Sequence, residues 1–99
     1  MNQRAPVPCE EMTAIRQQID ALDVELVKLL AARQKLIAQA GHAKPERHHI
    51  RDEARIEEVV NLVLQTAQKE GLATEIAEPV WRQLIESSIA YEYHIFDDR

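Results

Sequence analysis

An all-α protein of three helices, the first of them very long, is the fold this sequence predicts. Only two glycines and four prolines punctuate its 99 residues, too few for a hairpin-rich sheet. Apolar residues at Met12, Ile15, Ile19, Leu22, Leu26 and Leu29 advance in steps of 3 and 4, the spacing of a single helix face. Pro45 and Gly71 then divide the remainder into segments of helical length.

The first helix is placed from about Glu10 to about Ala43, a stretch rich in Ala, Leu, Gln, Glu, Lys and Arg. Pro45 disfavours helical geometry at Lys44 and stops it. Ahead of it, residues 1–9 read as a loose, proline-bearing tail, so that one helical domain occupies 10–99. PERHHIR, residues 45–51, forms a polar connection. A second helix starts near Asp52, which suits an N-cap or first-turn position. Its apolar set is Ile56, Val59, Val60, Val63 and Ala67, and Gly71 fits just past its end. The third helix begins at Thr74 or Glu75, with Pro79 tolerated in its early part. It is expected to bury Val80, Trp81, Leu84, Ile85, Ile89 and, at its far end, Phe96.

The first helix is too long for its own chain. It spans roughly 50 Å, whereas a compact domain of this size measures roughly 35 Å across. Two short helices cannot cover the whole apolar stripe, and a second copy of the chain, related by two-fold symmetry, can. An intertwined homodimer is therefore expected.

Composition narrows the function. Lys and Arg number 12 against 17 Asp and Glu, a net charge of −5. That balance argues against a nucleic-acid partner, which needs a basic face. No basic amphipathic segment points to a membrane surface, and no apolar run can span a bilayer. MNQRAPVPCEE has no apolar core and does not read as a secretory signal. The lone Cys9 cannot form an internal disulfide, consistent with a reducing, cytoplasmic compartment.

One residue breaks the stripe. The next step after Leu29 is Arg33. An isolated arginine there could snorkel to water or pair with a glutamate and merely fix register. Arg33 has company, however. Lys44 lies eleven residues on, about three turns, and so returns to nearly the same face. Arg55 precedes the apolar stripe of the second helix, and Arg16 sits beside Ile15. Too few inward-facing carboxylates exist to pair all four cations, so a small polyanionic ligand fits. Arg16 and Arg33 are roughly 25 Å apart along one helix, too far to share a metabolite, so Arg16 would come from the partner chain. On the third helix Ser88 and Glu92 stack on one face, continuing the row of Trp81 and Leu84. An ordinary solvated surface is the plainer reading of that stretch. A carboxyl group in the core layer beside an anionic ligand would favour its protonated, hydrogen-bond-donating form.

These residues carry a resemblance. AIRQQIDALDVELVKLLAAR, Lys44 eleven residues after Arg33, RDEAR and LIESSIAYE together resemble the small all-helical chorismate mutases, the AroQ class, and the related isochorismate-pyruvate lyases. The similarity covers about residues 12 to 95. It implies a dimer with two sites built across the interface and no cofactor. By position, Arg16 of the partner chain and Arg33 would each hold a substrate carboxylate. Lys44 would donate to the ether oxygen and a carboxylate, and Asp52 would take the ring hydroxyl. Arg55 would help hold the carboxylate region, Ser88 would lie against the substrate, and Glu92 would face the ether oxygen opposite Lys44. Where some mutases carry a glutamate after the arginine of the second helix, this chain has Ile56, so that contact is absent.

The implied reaction is the rearrangement of chorismate to prephenate, one pericyclic step needing no nucleophile, metal or cofactor. Two other readings compete. The sister reaction releases pyruvate from isochorismate to form salicylate with nearly the same cations. A helical dimerisation module without catalysis would use Arg33 for register alone. A metal site at His42, His48 and His49 is disfavoured, since a polar loop carries histidines for many reasons and no carboxylate or cysteine completes a plausible ligand set.

Overall fold

A computed structural model describes residues 9–99, and residues 1–8 of the expected tail lie outside it. Three helices carry the described chain: α1 (Glu10–Ala43), α2 (Glu53–Glu70) and α3 (Thr74–Asp97). A single 3-10 turn, Arg47–His49, lies between α1 and α2. The chain divides into two compact units, the first ending at Arg33 and the second running Gln34–Arg99.

The first unit is the leading part of α1. α1 begins at Glu10 as expected, and Cys9 just before it accepts from the helix, its carbonyl from the Thr13 amide at 2.9 Å and its Sγ from the Met12 amide at 3.4 Å. The apolar row found in the sequence is uncovered in the single chain. Ile15 is 40% exposed, Leu22 65% and Leu29 67%. Val24 and Val27 widen this apolar surface beyond the row.

In the second unit α2 and α3 pack together. Asp52 caps α2, its side chain accepting from the Arg55 amide at 3.1 Å, and Gly71 closes it at φ 74. That left-handed backbone strains any residue with a Cβ, which is why glycine stands there. Ile56, Val60 and Ile85 form the core, with Val59, Leu64 and Ile89 against it. Ala67 and Ala77 are buried as well, and their small size brings the helices close. Two expectations need correction. Val80, expected inside, is 51% exposed, because the buried residues of α3 are Ala77, Ile85 and Glu92 and Val80 falls outside their face. The connection, expected to be polar, also places Ile50 in the interior at 5% exposure.

Ion pairs lace the outside of this unit. Arg82 on α3 bonds Glu57 of α2 and Glu78 of its own helix, both at 3.0 Å. The bond from Arg82 holds the Glu57 carboxyl below its ordinary range, and Arg47 does the same for Asp97. A depressed carboxyl stabilises the fold above the unfolded-state value and loses that contribution as pH falls through the folded one. The stability difference between wild type and Arg82→Gln should therefore be widest at neutral pH and close below pH ~4. Melting curves across pH check this, and indistinguishable curves at pH 7 would refute it. No helix among the described residues is long and apolar enough to cross a membrane.

Candidate functional site

The end of α1 lies against α3 at a position that requires glycine. A Cβ built on Gly41 would come 2.9 Å from Ile95 Cγ2 and 3.2 Å from the Glu92 carbonyl oxygen. The Ile95 methyl can move aside; the carbonyl belongs to the helix backbone and cannot. Gly41→Ala should lower the unfolding free energy by about 1–3 kcal/mol, as overpacking does, and urea titration measures that loss.

Three residues further, Lys44 leaves the helix. Its amide still bonds the Ala40 carbonyl at 2.9 Å, and Pro45, having no amide hydrogen, cannot extend the ladder. The Lys44 ammonium donates to Glu92 Oε2 on α3. Glu92 is 5% exposed, the one residue with a charged side chain among the buried described residues. A carboxylate taken out of water needs such a partner. The lysine side chain keeps 28% of its surface and is the wetter member of the pair.

The other anticipated residues fall into two groups. Within the second unit, Ser88 precedes Glu92 by one turn of α3, is half-buried and interacts within the chain. Asp52 is occupied as the α2 cap. Arg55 is exposed and its guanidinium engages Glu58 on its own helix. Ile56 is buried in the core, which accounts for an apolar residue at that position. In the first unit, Arg16 is exposed, whereas Arg33 is half-buried and interacts within the chain.

Lys44 and Asp52 both line a cleft of about 580 Å³, together with Pro45, His48, His49, Arg51 and Glu53. Arg51 had no assigned role in the sequence. It sits between Glu53 at 3.1 Å and Glu86 of α3 at 2.7 Å, tying the start of α2 to α3. Its position as the first residue of RDEAR is the signal that could have marked it. Gly41, isolated in a helical pattern three residues before Lys44, was a similar clue.

The expectation that no carboxylate accompanies the histidine pair is corrected: Glu46, two residues before His48, brings its ligand atom with those of His48 and His49 within 4.8 Å of one another, all exposed. His42 is not part of that group.

Comparison with known proteins adds two findings. A sequence model of the family described as chorismate mutase type II matches residues 15–93, which contain Arg16, Arg33, Lys44, Asp52, Arg55, Ser88 and Glu92. The T-protein of Haemophilus influenzae is 33% identical over 85 residues, which are 84% of this chain and 22% of that protein. The chain thus spans less than a quarter of the length of the curated relative it matches.

Proposed function

The chain belongs to the chorismate mutase type II family, and from that premise we propose that it rearranges chorismate to prephenate, as a homodimer whose two sites each draw on both chains. The observation that carries the site reading is the Lys44–Glu92 contact, a buried carboxylate and a partly buried ammonium joined from different helices. The dimer reading rests on the uncovered apolar row of α1, a surface of the kind that marks a partner site. Composition and the single cysteine favour the cytoplasm.

The reaction breaks a C–O bond as a C–C bond forms, with no intermediate to trap. The protein needs to hold a dianion in its compact conformer and to stabilise negative charge growing on the ether oxygen. Arg33, and Arg16 from the partner chain, would grip the two carboxylates, since the guanidinium fork binds a carboxylate at two points. Lys44 would turn from Glu92 toward the ether oxygen and a carboxylate. Ser88 would lie against the substrate, Asp52 would exchange its cap bond for the ring hydroxyl, and Arg55 would steady the carboxylate region. Glu92, once protonated, would donate to the ether oxygen from the side opposite Lys44. No cofactor or metal enters this scheme.

Glu92→Gln keeps a hydrogen-bond donor where the carboxyl would donate, so it should retain turnover of chorismate, whereas Glu92→Leu should lose it. Wild-type turnover in Glu92→Leu would remove Glu92 from the ether-oxygen position. The reading as a whole is tested by assaying the purified protein on chorismate and on isochorismate. Faster prephenate formation is expected; faster salicylate release would make it a lyase, and inactivity on both would leave a dimerisation module.

A further inference from the structure

We infer that Arg99 is a positioning residue for Lys44, latching the backbone that carries the lysine to the end of α3; this rests on the proposed role of Lys44. Helix ends leave carbonyls without intrahelical partners, and the C-terminal end attracts cations. At the end of α1 those carbonyls have a specific occupant. Arg99 Nη1 donates to the carbonyl oxygen of Lys44 at 2.6 Å and to that of His42 at 3.0 Å. The guanidinium is itself held, its carbon 3.6 Å from the centre of the Phe96 ring.

The arrangement grips Lys44 at both ends. Its ammonium meets Glu92 and its carbonyl meets Arg99, the first within α3 and the second one residue past its Asp98 cap. Pro45 ends the helix at this point, so the Lys44 amide still bonds the Ala40 carbonyl while its own carbonyl is left to the Arg99 guanidinium. A parallel strap secures the far side of the turn. Arg47 bonds Asp97 through Nε at 3.0 Å and Nη2 at 3.3 Å, and lies over the Tyr93 ring at 4.3 Å. Both arginines are exposed, so the straps add little to global stability. Their effect is local: they fix where the Lys44 side chain starts.

The test is Arg99→Ala beside Arg99→Lys, with Arg82→Ala as a control that removes an exposed, ion-paired arginine elsewhere. Misplacing a catalytic group by an ångström can cost on the order of 100-fold. Arg99→Ala should lower kcat by about 10-fold to 100-fold on that basis, with a much smaller change in KM and an unchanged melting temperature. Arg99→Lys should recover part of the loss, and Arg82→Ala should leave kcat alone. Hydrogen exchange at the Lys44 and Ile50 amides should quicken in Arg99→Ala only. Wild-type kcat in Arg99→Ala overturns the inference, as does a kcat loss matched by Arg82→Ala. If the wild-type protein turns over neither chorismate nor isochorismate, the functional reading fails instead. The latch is then judged on exchange, and unchanged exchange at Lys44 overturns it.

Discussion

Lys44→Met should lower kcat/KM for chorismate by about 1,000-fold, the scale expected when a charged donor to a developing oxyanion is lost. Methionine keeps much of the length and packing of the lysine stem and removes the charge. The variant also strands Glu92, which is 5% exposed and loses its cation. An uncompensated buried charge destabilises. Lys44→Met should therefore melt earlier than wild type. Adding Glu92→Gln removes the stranded charge, so the double variant should regain stability without regaining activity. Turnover restored in the double variant would mean that Lys44 acts only on the fold. Steady-state assays of prephenate formation and melting curves on the three proteins separate the outcomes.

Arg33→Leu has a comparable expected effect, a drop of about 1,000-fold or more in kcat/KM from losing a two-point carboxylate contact. Its helical content should survive. Leucine continues the apolar row of α1, and replacing a charge there with a hydrophobe is often neutral or stabilising. The dimer should hold at least as tightly, read by sedimentation at micromolar concentrations. Arg33→Lys keeps the charge and loses the fork, so it should recover little activity. Full activity in Arg33→Leu would assign this arginine to register alone and favour the non-catalytic reading.

Helix boundaries were legible because each has a local chemical cause. Pro45 stops α1, Asp52 caps α2 and Gly71 closes it, and all three act within a few residues of their own position. The Lys44–Glu92 contact joins residues 48 apart in sequence. It was approached only by counting helix faces and by resemblance, since no local pattern encodes a pairing between α1 and α3. The burial of Ile50, the need for glycine at 41 and the latch from Arg99 were not legible. Each depends on where a distant segment comes to rest, and in composition they are one isoleucine in a polar loop, one glycine and one more surface arginine. Arg55 shows the opposite limit. Helical spacing marks it as a cation near an apolar stripe, but a neighbouring glutamate one turn away, Glu58, engages its guanidinium.

In the proposed dimer, the uncovered row on α1 would make this protein's output depend on how much of it there is. A lone copy would present Ile19, Leu22, Leu26 and Leu29 to water at half their surface or more, so in that dimer finishing the fold and finding a mate would be a single event. Catalysis per molecule would then fall on dilution, with no inhibitor involved. A cell making too few copies would hold chains that are sticky rather than merely scarce.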